Sequence, residues 1–184
     1  MIIDDKKRFA GFPSLAGTAR LIAKLIPRCS YYVEPFAGTA KVYQELVKKS
    51  YFKDSYCDPI LNDRSGFIRG WLRKEFPSAL VTADDFIDCV IMWDSEYSFF
   101  LFDQPWNESF YDQSFSYFNR ESVADYDREI LELCEKMKGK FIITTRKENK
   151  RMIDSRFPNK LIRSEYILSG RYPKVMITTN LRLD

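Results

Sequence analysis

Four acidic side chains follow short apolar runs of the sequence, and this pattern is its clearest sign of chemistry. They are Glu34, Asp63, Asp85 and Asp103, and Gly38 lies in the turn after the first of them. Carboxylates accept hydrogen bonds from ribose hydroxyls and from an adenine amino group, and glycine lets a ligand approach the backbone. The pattern therefore indicates a site for a nucleoside-bearing cofactor. Each acid taken alone has a structural alternative, because acids also cap helix N-termini.

The composition excludes several common catalytic sites. The chain has no histidine, so Ser-His-Asp triads, Cys-His dyads and histidine-bound zinc are excluded. Its four cysteines are far apart in the sequence and form no C-x-x-C pair. This spacing predicts buried reduced thiols rather than a zinc cluster or a disulfide framework. We expect catalysis without a metal.

Length and hydropathy limit the organisation of the chain. Its 184 residues are 45% hydrophobic and 16% aromatic, enough for one domain with a core and too few for two ordinary domains. We therefore expect residues 1–184 to form a single domain. No run of 18 apolar residues occurs, and the charged N-terminus has no apolar run after it. These features predict neither a membrane span nor a signal peptide, and a cytoplasmic location.

Strand-like and helix-like segments alternate along the sequence. Helical spacing of apolar residues predicts helices over 15–26, 39–49, 66–76 and 84–92, and a longer one capped by Asn119 or Ser122. Apolar and β-branched runs predict strands at 31–33, within 56–61, and at 80–82, 98–102, 140–145 and 175–179. Gly139 is expected to end the long helix in the left-handed conformation. The alternation is typical of a Rossmann-like α/β fold, with a mostly parallel sheet flanked by helices on both faces.

Residues 32–40 (YVEPFAGTA) resemble a known cofactor-binding motif. It is the V-E-P-F-x-G-x-G motif of the Dam-type DNA adenine methyltransferases, with Ala40 in place of the last glycine. The resemblance implies S-adenosylmethionine as cofactor. It assigns cofactor binding to Glu34, Pro35, Phe36, Ala37, Gly38 and Thr39.

Three further segments resemble cofactor motifs of the same family. Residues 60–65 (ILNDRS) are similar to the motif whose acid holds the ribose, which implies that role for Asp63. Residues 82–86 (TADDF) are similar to the D-F motif whose acid contacts adenine, which implies Asp85 and Phe86. Residues 8–13 (RFAGFP) stand where the family has K-W-A-G-G-K, which implies Phe9, Ala10 and Gly11 but leaves out the lysine for the cofactor carboxylate.

Residues 103–106 (DQPW) resemble the catalytic D-P-P-Y motif of the family. The resemblance implies that the Asp103 carboxylate and the backbone carbonyl of Gln104 accept the hydrogens of adenine N6. The lone pair of this nitrogen is otherwise delocalised into the ring. Pro105 completes the motif, and Trp106 would stack on a base flipped out of the duplex. Six aromatic residues lie between 106 and 118, and they predict either a substrate-facing loop or a part of the core.

The resemblance covers nearly the whole chain and implies transfer of a methyl group to adenine N6 in DNA. Only 64 residues separate Gly38 from Asp103, where relatives insert a target-recognition domain. Specificity would then be loose, or would come from the aromatic loop, a partner protein or a homo-oligomer. Two alternatives stay open. One is a catalytically silent cofactor-binding module or partner subunit, because Gln104 replaces a proline; the other is an RNA methyltransferase.

Charge is unevenly distributed although the net charge is only +3. Residues 81–135 contain 14 acidic and 2 basic side chains, whereas residues 136–184 contain 13 basic and 4 acidic ones. Four cations follow the strand predicted at 140–145, and we expect them to hold the phosphate backbone of DNA: Arg146, Lys147, Lys150 and Arg151. The alternative is a solvated basic surface.

Overall fold

The computed structural model describes residues 16–52, 56–104, 123–146, 159–163 and 174–182. The helices are α1 (Ala16–Leu25), α2 (Lys41–Lys48), α3 (Gly66–Glu75), α4 (Phe86–Trp93) and α5 (Val123–Cys134). The strands are β1 (Tyr31–Glu34), β2 (Asp58–Asn62), β3 (Leu80–Thr82), β4 (Ser98–Phe102), β5 (Lys140–Arg146), β6 (Asn159–Arg163) and β7 (Lys174–Thr179).

The described strands form one sheet in the order β3-β2-β1-β4-β5-β7-β6. The five strands β1 to β5 pair in parallel, whereas β7 pairs antiparallel with both β5 and β6. The chain order reverses between β1 and β4, and in open parallel sheets ligands bind beside such a reversal. The predicted mostly parallel α/β sheet is confirmed.

Strand side chains alternate between two apolar layers, which explains why the strands read as continuous apolar runs. In β4, Phe99 and Leu101 pack with α1, α2 and α3, whereas Phe100 and Phe102 pack with α4 and α5. In β1, Tyr32 and Val33 divide in the same way. Helices thus cover both faces, as the sequence predicted.

Pro59 lies inside β2, an internal strand, although proline lacks the N–H that a ladder needs. The Asp58 N–H donates to the Ser30 carbonyl on the β1 side, at 2.8 Å. The nitrogen of the next residue therefore faces β3, and the β2–β3 ladder begins only at the pair Ile60–Leu80. Pro59 removes no ladder hydrogen bond, so the strand extends through it.

Three details differ from the sequence prediction. Helix α2 begins at Lys41 rather than at residue 39, because Ala40 adopts the left-handed conformation (φ 46°, ψ 47°). Gly139 is not a left-handed helix terminus; a Cβ there would lie 2.9 Å from the Phe100 ring, so this glycine provides space for packing. Strand β6 was not predicted, because its sequence NKLIR has little strand character.

None of the described helices is long and apolar enough to cross a membrane. Asn119 and Ser122, the predicted caps of α5, lie outside the described residues.

Candidate active site at the carboxyl edge of the sheet

The four predicted acids lie in one row along the carboxyl edge of the sheet. Because the strand order is β3-β2-β1-β4, the row runs Asp85, Asp63, Glu34, Asp103. Adjacent strands are about 4.8 Å apart, so three spacings give a row of roughly 14 Å. The fold therefore brings together residues that are far apart in the sequence.

The loop after β1 turns sharply around Gly38, whose φ of +49° is unfavourable for other residues. The Gly38 N–H donates to Asp63 Oδ2 at 2.9 Å, and the Ser65 N–H donates to Asp63 Oδ1 at 2.8 Å. Asp63 thus joins the loop after β1 to the start of α3. Burial raises the pKa of Asp63, and the two N–H groups partly offset that rise.

Asn62 connects three strand ends and is 1% exposed. Its Nδ2 donates to the carbonyls of Pro35 and Asp84, each at 3.0 Å. Its Oδ1 accepts from the Thr82 hydroxyl at 2.8 Å and from the Asp84 N–H at 2.9 Å. The Asn62 carbonyl also accepts from the Ala37 N–H at 2.8 Å. This buried amide holds the cofactor-motif loops in register.

Asp85 serves as the N-cap of α4. Its Oδ1 accepts from the Ile87 N–H at 3.0 Å, and its Oδ2 lies 3.5 Å from Arg64 Nη1. The helix-capping alternative for this acid is therefore present in the structure. Phe86 is 2% exposed and packs against the half-buried Phe36, with ring centroids 5.0 Å apart. Of these two rings, Phe36 is the more exposed.

Glu34 is buried at the end of β1. Its Oε1 accepts from the Tyr32 hydroxyl at 2.6 Å and from the Tyr43 N–H of α2 at 3.2 Å. Burial raises the pKa of Glu34 to about 8; the Tyr32 hydrogen bond opposes the rise, and the charge of Asp103 adds to it. Glu34 is mostly protonated at pH 7 and ties β1 to α2.

Asp103 lies on the neighbouring strand end and has a different environment. Its Oδ1 accepts from the Thr144 hydroxyl of β5 at 2.5 Å. Burial raises the pKa of Asp103 to about 7, and the Thr144 hydrogen bond partly offsets that effect. A carboxylate poised near neutral pH is suited to hydrogen-bond acceptance or proton transfer.

Gln104 is 2% exposed and is held by its side chain. Its Nε2 donates to Asp127 Oδ1 of α5 at 2.7 Å. Its Oε1 is buried and has no hydrogen-bond partner among the described residues. The bond to Asp127 restrains the turn that a proline stiffens in the D-P-P-Y motif.

Several predicted residues lie outside the described part of the chain: Phe9, Ala10, Gly11, Pro105, Trp106, Lys147, Lys150 and Arg151. Arg146 ends β5, so its backbone lies at the carboxyl edge. Of the remaining loop positions, Pro35 follows Glu34, whereas Ala37 and Thr39 flank Gly38; Ala37 is 5% exposed. Within the described residues, no three acids or cysteines are arranged to hold a metal ion.

Three residues that position the site had no role predicted from the sequence: Asn62, Thr144 and Asp127. Thr144 and Asp127 belong to elements that follow Asp103 in the sequence, with no local pattern that joins them to it. Asn62 precedes Asp63 directly, and an amide at a buried strand end is the signal that could have identified it.

No protein-family model matches this chain, and no curated protein has significant sequence similarity to it. Solved structures are similar to it in fold. A protein from Listeria monocytogenes, assigned to the class I S-adenosylmethionine-dependent methyltransferases, has a TM-score of 0.57 and 12% identity. The similarity covers 96% of this chain but only 62% of the Listeria protein.

For two further structures, the similarity covers most of both chains. A Clostridium thermocellum protein assigned as an rRNA methylase has a TM-score of 0.59 and 12% identity, over 90% of this chain and 96% of that one. The 1,6-didemethyltoxoflavin-N1-methyltransferase of Burkholderia thailandensis, solved with its substrate and S-adenosylhomocysteine, has a TM-score of 0.57 and 12% identity, over 95% and 82%. Together with the strand order, these similarities show that the chain has the Rossmann-like fold of S-adenosylmethionine-dependent methyltransferases.

Proposed function

We propose that this chain binds S-adenosylmethionine and transfers its methyl group to the N6 amino group of adenine in DNA. The observation that carries the proposal is the row of acids at the carboxyl edge, in which Asp63 braces the Gly38 turn and Asp103 lies two strands away. The fold supports the cofactor class, because the similar structures are S-adenosylmethionine-dependent methyltransferases. The resemblance of residues 103–106 to D-P-P-Y supports adenine as the acceptor.

The residues divide the chemistry between them. Gly38 lets the cofactor approach the backbone, Asp63 and Asp85 supply acceptors for ribose and adenine groups, and Phe36 offers an apolar surface. The Asp103 carboxylate and the backbone carbonyl of Gln104 accept the two N6 hydrogens, so that the nitrogen lone pair points at the methylsulfonium. The methyl–sulfur bond breaks as the nitrogen–methyl bond forms, and the excess proton leaves from nitrogen. Asp103, with a pKa near 7, is suited to receive it.

Two measurements test the proposal in order. Calorimetric titration with S-adenosylmethionine and S-adenosylhomocysteine tests the cofactor, and the absence of binding at about millimolar ligand would overturn it. Transfer of labelled methyl to double-stranded DNA, single-stranded DNA and RNA tests the acceptor. We expect label in DNA as N6-methyladenine. Label confined to RNA would overturn DNA as the substrate while leaving the methyltransferase class intact.

We also propose that Arg146, Lys147, Lys150 and Arg151 hold the phosphate backbone of DNA. The placement of Arg146 at the carboxyl edge, one strand from the end of β4, supports this. Four phosphate contacts predict an affinity that falls steeply with salt. Replacement of all four by glutamate is expected to abolish DNA binding at low salt without affecting cofactor binding. Unchanged affinity and salt slope would assign the contact elsewhere.

A silent cofactor-binding module is the second candidate, and one observation favours it: Gln104 stands where the motif has proline. The Gln104→Pro variant separates the candidates. If the wild-type chain binds cofactor but methylates no acceptor, and Gln104→Pro restores transfer to DNA, the silent module is correct. If the wild type methylates DNA, the silent module is wrong.

A further inference from the structure

Two thiols approach each other at the amino edge of the sheet, opposite the candidate active site. Cys29 Sγ and Cys57 Sγ lie 3.6 Å apart, and both cysteines are reduced. The register pairs Tyr31 with Asp58, and the Asp58 N–H donates to Ser30, so Cys57 lies beside Ser30. One strand spacing and one residue rise then place the Cα atoms of Cys29 and Cys57 about 6 Å apart. Disulfides require about 4.4–6.8 Å, so side-chain rotation can join the two sulfurs.

The two thiols have different environments, which assigns them different chemistry. Cys29 is half-buried, whereas Cys57 is 7% exposed. The hydrogen bond between the two thiols lowers the pKa of Cys29 by more than burial raises it, and Tyr51 and Lys140 lower it further. The same hydrogen bond, together with burial, raises the pKa of Cys57. Cys29 is therefore the more nucleophilic thiol, and Cys57 is placed to attack any adduct on it.

A cavity of about 460 Å³ opens at Cys29. Arg28 and Lys140 give it two cations, Glu96 gives it one carboxylate, and the exposed ring of Tyr97 forms part of the wall. Two cations and one anion suit a small molecule that carries carboxylates and an ammonium group. The starts of β1, β4 and β5 build this cavity, so it is independent of the methyl-transfer site at the other edge.

We propose that Cys29 and Cys57 are a reactive dithiol that exchanges with small, carboxylate-bearing disulfides bound in this cavity. The Cys29 thiolate attacks one sulfur of the small disulfide, so that a mixed disulfide forms, the original S–S bond breaks and one thiolate leaves and is protonated. The Cys57 sulfur, giving up its proton, then attacks Cys29 Sγ. The Cys29–Cys57 bond forms as the mixed bond breaks, and the second small thiol leaves with that proton. The protein loses two electrons and two protons, and the small disulfide gains them.

Glutathione disulfide is the probe for this proposal, with acid quenching, intact mass and peptide mapping as readouts. The wild-type chain is expected to lose the mass of two hydrogen atoms, with Cys29 linked to Cys57. Cys57→Ser is expected to retain one glutathionyl group on Cys29, and Cys29→Ser to react at neither position. Cys89→Ser, which removes a fully buried thiol, is the matched control and should behave as the wild type. A wild-type chain that forms no Cys29–Cys57 bond overturns the proposal.

Two measurements do not depend on how the cysteine variants fold. In the wild-type chain, iodoacetamide should modify Cys29 at least tenfold faster than Cys89 or Cys134, and equal rates would overturn its assignment as nucleophile. Glutathione disulfide should react faster than the uncharged 2-hydroxyethyl disulfide. Lys140→Gln should reduce that rate ratio severalfold, whereas an unchanged ratio would overturn the role of the cavity.

Discussion

The glycine-loop half of the carboxyl edge (residues 34–40, 62 and 63) is built differently from the β4–β5 half (residues 103, 104 and 144). In the glycine-loop half, backbone N–H groups make most of the bonds to the acceptor side chains: Asp63 receives two, and Asn62 and Glu34 each receive one beside one hydroxyl. In the β4–β5 half, side chains bind each other, as in the pairs Asp103–Thr144 and Gln104–Asp127. Backbone donors fix the position of a charged acceptor, whereas side-chain partners adjust its pKa.

This difference suits the two proposed tasks. A cofactor site needs a fixed shape with oriented acceptors, and backbone hydrogen bonds supply that rigidity. A transfer site needs a carboxylate whose charge matches the reaction, and burial with one hydroxyl partner places the pKa of Asp103 at about 7. Substitutions in each half test whether the two halves separate cofactor binding from methyl transfer.

Asp103→Asn is expected to have the largest effect, because it replaces a carboxylate acceptor and base with an amide. Methyl transfer should fall by roughly 10²- to 10⁴-fold, while cofactor affinity measured by calorimetry stays within about threefold. Glu132→Gln, at an exposed position of α5, serves as the control and should keep full activity. A parallel loss of cofactor binding in Asp103→Asn would contradict the division between the halves.

Asp63→Ala tests the other half. Loss of an acceptor that receives two N–H groups and is assigned to the ribose should weaken cofactor binding by roughly 10- to 100-fold, as expected for charge-assisted hydrogen bonds of about 1.5–3 kcal/mol. Saturating cofactor should restore much of the rate. Asp58→Ala removes an exposed acid from the opposite end of the same strand and should leave the affinity unchanged. Equal affinities for the two variants would remove Asp63 from the site.

Thr144→Val should change the pH dependence of the reaction. The proposed acceptor is the ionised Asp103, so the wild-type rate should rise as pH increases through about 7. Without the Thr144 hydroxyl the pKa of Asp103 rises, so the profile moves to higher pH, with roughly tenfold slower transfer at pH 7 and recovery near pH 9. Thr179→Val loses a hydroxyl bonded to the Phe141 carbonyl on the neighbouring strand and should keep the wild-type midpoint. An unmoved midpoint in Thr144→Val would show that Asp103 does not limit the rate.

Glu34→Gln should stabilise the protein at high pH. The folded state holds the Glu34 proton up to about pH 8, whereas the unfolded chain releases it near its ordinary pKa of about 4.3. Stability of the wild type therefore falls as pH rises between these values. Glutamine keeps an acceptor for Tyr32 and Tyr43 without the buried charge, so we expect a gain of at least about 1 kcal/mol at pH 9 and little change at pH 5, measured by urea unfolding.

Glu45→Gln is the matched control for that experiment. Glu45 is also buried on α2, but it pairs with Lys48 at 2.6 Å and with Arg20 at 3.6 Å, and its pKa is lowered, mainly by Lys48. Its substitution should destabilise the protein slightly at pH 9, because both cations are largely exposed. A gain of the same size in both variants would contradict the assignment to Glu34.

The sequence predicted most of the strands and placed the acids at their ends, because those features are local. The run SFFLF is apolar at four of its five positions, and β4 spans all five residues. The predictions that were wrong or missing depend on contacts between distant segments. Strand β6 forms by pairing with β7, and Gly139 is small because the Phe100 ring lies beside it. The thiols of Cys29 and Cys57 meet because β1 and β2 are neighbours, a contact that their sequence spacing could not predict.

The smallest expected effects concern two left-handed residues of the glycine loop. Gly38→Ala forces an L side chain into φ +49°, at a cost of roughly 1–2 kcal/mol. Its new Cβ would meet no atom within 4 Å, so the cost is conformational, and the methyl group would occupy open space that the cofactor needs.

Ala40→Gly makes the reverse change at φ +46°. Relief of about 1 kcal/mol is offset by the loss of a methyl group that is 1% exposed, worth about 0.8 kcal/mol, and by greater freedom of the unfolded chain. Urea unfolding should therefore show Ala40→Gly within about 0.5 kcal/mol of the wild type and Gly38→Ala clearly below it. Because the Ala40 methyl group is buried, only Gly38→Ala should also weaken cofactor binding. Equal cofactor affinity in both variants would show that the cofactor does not pass over Gly38.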